Sequence, residues 1–355
     1  MTLPQLSLCS IGVALLAIFL FLRYPAEEAA GSLPVETLVT TLTPEADRRP
    51  ADQTFLTYPE WFLVYSPKEY AELIAERGPS EFPYLEHIGQ FWNGYRAVTE
   101  ATQSEPFNFR YHQMIVVIGS STTVEYGLKW FYETTVGRVA EVTSRQPTPE
   151  DQLAVRVAKD YVEFLDVEPW YRFNFVTPLR QVWCESWWGP SMLRKWERKY
   201  FLTTEYSLKA AYAWAIKQST ESAYGIQKPI TTVVVDHLPS PLPPEFSAIK
   251  VRETLADGHV LLDMPRYQAF TAQAELLARH QIHFVEIAGN RGSVLITAIV
   301  PTDFDTSNLT LLAKQPILTK KGTQRLLFSV PVAELSTRLR TLNQSGLIAE
   351  HVYDF

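Results

Sequence analysis

The spacing of apolar residues changes twice along the chain, and each change marks a different kind of element. The first pattern is an unbroken run. Leu6 to Leu22 (LSLCSIGVALLAIFLFL) holds seventeen residues without a charge. As a helix it spans about 25 Å, close to the roughly 30 Å of a bilayer's hydrocarbon core. Arg23 and Tyr24 follow, a cation and an aromatic suited to the headgroup layer, and Pro25 ends the helix. A cleaved signal peptide needs a positive leading region and a small-x-small cleavage site. MTLPQ and Pro25-Ala26-Glu27-Glu28-Ala29-Ala30 provide neither, so the expectation is an uncleaved transmembrane anchor over 1–23. Residues 24–53, rich in Ala, Pro, Thr and acids and without a period, read as a flexible linker.

From Thr57 the spacing becomes helical. Thr57-Tyr58-Pro59-Glu60 and Ser66-Pro67-Lys68-Glu69 both resemble capping boxes, which predicts helices over 59–65 and 67–77, the second closed by Gly78-Pro79. A helix over 83–102 gathers Leu85, Ile88, Phe91, Trp92 and Tyr95 on one face. Residues 109–141 open on a β-branched run compatible with a strand. Thr122-Thr123-Val124-Glu125 and the i, i+4, i+8 row Glu125, Lys129, Glu133 instead favour helix throughout, with a break near Gly119. Thr148-Pro149-Glu150-Asp151 starts a helix that runs to about Leu165. Glu168 to Pro190 reads as an aromatic loop, and Ser191 to Tyr224 as one long helix or two in tandem, with Gly225 at the C-cap.

Beyond 225 the pattern shifts to short β-branched runs. Strands are expected at 231–235, 259–264, 283–287, 293–300, 325–330 and 347–353, and helices at 267–279 and 332–342. Gly289-Asn290-Arg291-Gly292 reads as a hairpin-type turn rather than an anion nest. The order β-α-β-β…β-α-β is that of a ferredoxin-like split βαβ unit with an extra strand. All nine tryptophans lie between Trp61 and Trp214, so composition changes at the same boundary. The expected fold class is α+β: an N-terminal transmembrane helix, an aromatic-rich, mainly helical domain over 54–225, and a C-terminal ferredoxin-like α+β domain over 226–355.

Charge and chemistry narrow the role mainly by exclusion. A net charge of −7 with no basic block argues against nucleic acid as a partner. Of two cysteines, Cys9 falls in the anchor, so the cargo has no disulfide framework. No zinc spacing, P-loop or G-x-G-x-x-G is present, and no metal or cofactor is expected. The catalytic candidates are His112, Glu125 and Glu185. His112 with Glu125 and Glu133 has the residue types of an acid–base or metal site. Thirteen residues separate His112 from Glu125, about 20 Å along a straight helix, so a bend would be required. The simpler reading of Glu125-Lys129-Glu133 is a solvated ion-pair row. Cys184 with His112 has no supporting local motif. Trp183, Trp187 and Trp188 lie within six residues and suit a ligand pocket, a membrane interface or a partner surface. Arg194, Lys195, Arg198 and Lys199 on the next helix suit anionic headgroups. An ordinary aromatic core with a charged outer face is the plainer alternative.

Thr57-Tyr58-Pro59-Glu60-Trp61, Tyr111-His112 leading into Val117-Ile118-Gly119, Thr122 to Tyr126, and Trp188-Gly189-Pro190 leading into Arg194-Lys195-Trp196-Glu197-Arg198 resemble runs of an uncharacterised family of bacterial single-pass membrane proteins. The resemblance covers about Thr54 to Pro301. It implies the anchor and the general architecture and, since that family has no assigned activity, no catalytic residue. The expected role is therefore a membrane-anchored, non-enzymatic interaction or envelope accessory protein. Its partners would be the lipid bilayer and a protein in the membrane, and its bulk would lie on the periplasmic side of the bacterial cytoplasmic membrane. The alternative is a membrane-associated hydrolase acting on an envelope lipid or glycan. The charge rule alone, with Arg23 after the helix, points to a cytoplasmic bulk; Glu27 and Glu28 weigh against it.

Overall fold

The capping boxes at Thr57 and Ser66 do not start helices. One helix, α1 (Asp52–Glu76), runs through both, with Pro59 and Pro67 inside it. Ser66 shows why: its hydroxyl bonds His87 Nδ1 at 3.0 Å and Tyr126 Oη at 2.7 Å instead of capping a backbone N–H. An interior proline costs a helix about 3 kcal/mol, and burial of Tyr58, Trp61, Phe62 and Tyr65 at about 1.5–3 kcal/mol each outweighs it. The computed structural model describes residues 41–49, 52–103, 107–144, 146–224 and 230–353. The expected anchor, the first part of the linker and the Gly225 cap lie outside the described residues. Among the described residues no helix is long and apolar enough to cross a membrane.

Helix α2 (Tyr84–Ala101) packs against α1 and against α3 (Phe109–Tyr132), whose N-terminus is capped by Asn108. α3 passes Gly119 without a break. The glycine is there for space, since a Cβ would sit 2.2 Å from the Phe91 ring. The irregularity comes later, in a π-helical turn at Glu133–Gly137 that leads into α4 (Arg138–Val142). α5 (Pro149–Leu165) has the expected capping box: Thr148 Oγ1 accepts from the Asp151 N–H, and Asp151 accepts from the Thr148 N–H. The stretch expected as a loop contains α6 (Val176–Cys184), held against α7 (Met192–Tyr224) through the fully buried Val182.

The C-terminal part contains two antiparallel sheets, so the chain is an α+β protein with helices first and sheets last. The first is built from β1 (Ile230–Val235), β2 (Lys250–Thr254), β3 (Val260–Pro265) and β4 (Phe284–Ile287), with α8 (Gln268–Arg279) before β4. The second is built from β5 (Ser293–Pro301), β6 (Thr310–Pro316), β7 (Thr323–Pro331) and β8 (Ala349–Val352), with α9 (Leu335–Gln344) before β8. Their orders are β2-β3-β1-β4 and β6-β7-β5-β8, and register shifts fall in equivalent pairings of each. The unit βββαβ is therefore built twice. Gly289–Gly292 does not close a hairpin, because β4 and β5 belong to different sheets and only Ile287 and Asn290 bridge. The single six-strand unit expected from the sequence is thereby split in two. β2 and β6 were not legible because they are edge strands, β2 exposed along its whole length, and need no apolar alternation. One hydrophobic core, including Val233, Leu262, Phe284, Ile296, Phe328 and Leu339, serves both units.

The helical part is fixed to the second sheet. Leu56, Tyr58, Trp61 and Tyr65 of α1 pack on Leu295, Leu327 and Tyr353. Tyr65 Oη lies 2.7 Å from Thr297 Oγ1, and Arg325 sits between Glu69 and Glu350. Gln90 and Gln315 each donate a side-chain N–H to the other segment's backbone, at Pro316 O and Gln90 O. Residues 41–49, expected as linker, are held on the first sheet. Leu42 and Thr43 donate three hydrogen bonds of 2.7–2.8 Å to the buried Glu286 carboxylate, and the Arg49 N–H donates to Ala288 O. A buried carboxylate needs such donors, and this segment supplies them.

Candidate functional site

In the run Leu193-Arg194-Lys195-Trp196-Glu197-Arg198-Lys199-Tyr200, the cations recur at i, i+1, i+4 and i+5 and so share one face of α7. Leu193, Trp196 and Tyr200 take the other. An ordinary surface helix turns its apolar face inward; here the relation is inverted. Arg194, Lys195, Arg198 and Lys199 are 3%, 2%, 2% and 0% exposed, whereas Leu193, Trp196 and Tyr200 are 57%, 38% and 63% exposed. The expected basic face toward headgroups is thus corrected.

Every one of these cations has an anionic or carbonyl partner inside. Arg194 pairs with Asp151 at 2.8 Å and Glu197 at 3.2 Å, and Lys195 with Glu150 at 2.7 Å. Arg198 grips Glu133 through two 3.0 Å bonds and also contacts Glu197. Lys199 reaches Glu150 at 3.0 Å and the Val182 carbonyl. The acids come from the π-helical turn, the first turn of α5 and α7 itself. Four cations face four acids, so the charge is balanced within the bundle. Burial lifts the Glu133 carboxyl above its ordinary range against the pull of Arg198.

The outward face continues into the preceding loop. Trp183, Trp187 and Trp196 form a chain of ring contacts at 6.1 and 5.6 Å, and Trp188 is 79% exposed. Taking about 250 Å² for a whole tryptophan side chain, these four expose about 500 Å². The largest apolar patch on an ordinary monomer is about 300–600 Å² in total. Val136, Val139 and Val142, on the π-helical turn and α4 that pack on α7, are exposed as well. On α3, Val124, Leu128, Trp130 and Phe131 are exposed, while Thr122 and Lys129 point inward, as does Glu133 at the start of the π-helical turn. All but three of the exposed large apolar side chains among the described residues belong to the helical part; the exceptions are Leu242, Val251 and Ile348.

The three catalytic candidates do not converge. His112 is buried under the Phe107 ring, with Nδ1 2.9 Å from Tyr95 Oη. Glu125 lies on the same unbroken helix, about 20 Å along it. Glu185 makes a 3.9 Å contact with Arg156. Nor is Glu125-Lys129-Glu133 a solvated row. Lys129 reaches Glu125 at 3.0 Å and Glu205 at 2.6 Å, and Lys209 joins the same two acids at 3.4 and 3.1 Å. Burial opposes ionisation of both acids, but the two ammonium groups overcome it, holding Glu205 at about 2 and Glu125 below its usual range. Cys184 is exposed, next to Trp183 at the end of α6, whereas His112 is buried under Phe107.

One chain of groups escaped sequence reasoning. Ser66 Oγ is 3.0 Å from His87 Nδ1, and His87 Nε2 is 3.5 Å from Glu69 Oε2. The residue types match a nucleophile–base–acid chain. All three are sealed, however, at 1%, 1% and 4% exposure, and Ser66 also bonds Tyr126. Burial, with Arg325 nearby, lowers His87 to about 3, and burial raises Glu69 to about 7 against Arg325. The chain is a structural clamp between helices. Among the described residues no group of three or more His, Cys, Asp or Glu is placed to hold a metal ion. Comparison with family models, with curated proteins and with solved structures gives no match.

Proposed function

We propose that this is a membrane-anchored accessory protein whose helical part docks on the lipid bilayer through Trp183, Trp187, Trp188, Leu193, Trp196 and Tyr200. The inverted face of α7 carries the reading: its cations are consumed internally and its aromatics are left outward. Tryptophan and tyrosine are the side chains that favour the bilayer interface. The uncharged run Leu6–Leu22 supplies a tether to the same surface. The resemblance to bacterial single-pass proteins supports a tether in a cytoplasmic membrane, and Glu27-Glu28 after it favours a periplasmic bulk. The strand orders support reading the C-terminal part as two ferredoxin-like units in tandem, each with its first crossover helix replaced by an irregular connection. A protein partner in the membrane would meet the faces of this part that α1 and residues 41–49 leave uncovered. The role is non-enzymatic.

Cys184, exposed and next to Trp183 in the chain, offers a reporter. With Cys9 replaced by Ser, the full chain is labelled at Cys184 with an environment-sensitive dye and reconstituted into vesicles. Docking predicts a blue-shifted, brightened emission that Trp187→Ser/Trp188→Ser abolishes. An emission unchanged between detergent-free buffer and vesicles, or indifferent to the double substitution, would sink the proposal.

A further inference from the structure

A cavity of about 610 Å³ lies between α1, α3, α5 and α7, in the size range of pockets that hold drug-sized ligands. Its apolar wall includes Phe62, Ile74, Ile118, Val155, Ala158 and Leu202. Into the same space face the four charges Glu125, Lys129, Glu205 and Lys209. The shortest lysine contacts all fall on Oε1 of the two acids. Glu125 keeps 41% of its side chain accessible and Lys209 25%, and both line the cavity. An accessible carboxylate and an accessible ammonium therefore sit side by side, and among the charged side chains of the wall these four pair with one another and sum to zero.

Tyrosine rings surround them. Tyr70, Tyr126, Tyr161 and Tyr206 line the cavity, and Tyr84, also in the wall, has a buried hydroxyl with no hydrogen-bond partner. Lys129 already lies over the Tyr70 ring at 5.6 Å and Lys209 over the Tyr161 ring at 5.5 Å, so these faces accept cations. A ligand with net charge would unbalance this neutral, partly enclosed set, which is costly where water is excluded. A ligand with one positive and one negative group matches it: its cation at the accessible Glu125 carboxylate among the rings, its anion at Lys209.

We infer that this cavity binds one zwitterionic amphiphile, with the head group between Glu125 and Lys209 and the apolar tail along Phe62, Ile118, Val155 and Ala158. The inference stands apart from the docking surface, which uses the outer face of α7. A free zwitterion has the same head-group chemistry, and the apolar wall favours the form that carries a tail.

The test uses the full chain in dodecyl maltoside micelles, titrated with dodecylphosphocholine and released for native mass spectrometry. One dodecylphosphocholine is expected to stay bound despite excess maltoside, with dodecyl sulfate and dodecyltrimethylammonium retained at least tenfold less well. Ala158→Trp, which fills the cavity, and Glu125→Gln, which keeps its shape, should each weaken retention at least tenfold, with folding checked by circular dichroism. Trp187→Ser/Trp188→Ser should leave it unchanged. Equal retention of all three probes, or retention indifferent to both Ala158→Trp and Glu125→Gln, overturns the inference. So does free phosphocholine binding as tightly as the amphiphile. Loss with the tryptophan pair alone would assign the binding to the outer patch and overturn it too.

Discussion

Replacing Arg198 by Met tests whether the charged face of α7 is truly inside. Methionine keeps a straight apolar stem beside the Phe201 ring, which the guanidinium carbon now overlies at 4.7 Å. It removes the two 3.0 Å bonds to Glu133 and the contacts to Glu197. Glu197 keeps Arg194 at 3.2 Å, whereas the fully buried Glu133 loses its only ion-pair partner among the described residues. Removing one member of a buried pair costs about 3–5 kcal/mol. Burial already raises the Glu133 carboxyl, and without Arg198 it rises further above the unfolded value. A raised acid contributes most at low pH and loses stability as pH climbs through that window, so the loss should be smaller at pH 5 than at pH 8. Adding Glu133→Leu removes the stranded charge and should restore most of the loss, giving a coupling of about 3 kcal/mol. Denaturant unfolding followed by near-ultraviolet circular dichroism measures all four corners of the cycle. A single variant within about 1 kcal/mol of the parent at both pH values would mean that the run faces water, contrary to the structure.

Three further outcomes follow from other parts of the fold. Glu69, held at about 7 by burial against Arg325, should contribute about 3 kcal/mol less above pH 7 than below pH 4.5. Glu69→Gln should therefore be more damaging at pH 5 than at pH 8; His87 slopes the opposite way between 6.5 and about 3 but is common to both proteins, and equal losses at the two pH values would refute the assignment. Gly119→Ala should destabilise, since overpacking against Phe91 at about 1–3 kcal/mol exceeds the gain of about 1 kcal/mol in helix propensity. Gly127→Ala in the same helix meets nothing within 4 Å and should raise the melting temperature, so equal shifts at both sites would contradict the packing. Thr43→Val removes one of the three bonds from residues 42–43 to Glu286 and should cost about 1–3 kcal/mol, seen as faster proteolysis within 41–49; an unchanged cleavage rate would count against that clasp.

Local signals that act through the backbone were legible. Thr148 and Asp151 cap α5 because the box is complete within four residues. Ser66 carries the same motif, but its hydroxyl is drawn off by His87 and Tyr126 from other helices, and nothing near Ser66 in the sequence announces them. Periodicity gave α7 its length and the grouping of its cations. It could not give which face turns inward, because that depends on Glu133, Glu150 and Asp151, more than forty residues away in the chain. The habit of placing charge outward therefore pointed the wrong way for the basic run, although it left the tryptophans on the outside with it. In the C-terminal part, strands buried on one or both faces were found, and the edge strands β2 and β6 were not. Without them the repeat is hidden, and Gly289–Gly292 looks like a hairpin within one sheet rather than the passage between two. Of the candidate site, Trp183, Trp187 and Trp188 were recognisable as a cluster; Lys129, Glu205 and Lys209 become a set only once α3 and α7 are side by side.

If Trp183, Trp187, Trp188, Leu193, Trp196 and Tyr200 meet the bilayer, they do so without the cations of α7, which are paired inside. The most direct measurement is depth-dependent quenching of a dye on Cys184 by brominated lipids, in the full chain with Cys9→Ser in nanodiscs. Discs of wholly zwitterionic lipid would be compared with discs containing anionic lipid, at low salt and in 1 M NaCl. Because Arg194, Lys195, Arg198 and Lys199 are spent on internal acids, the account predicts quenching at interfacial depth that is the same in both lipids and insensitive to salt. Quenching that appears only with anionic lipid and is released by salt would mean that the cations face the headgroups. No quenching in either disc would mean that the tryptophan surface does not meet the membrane.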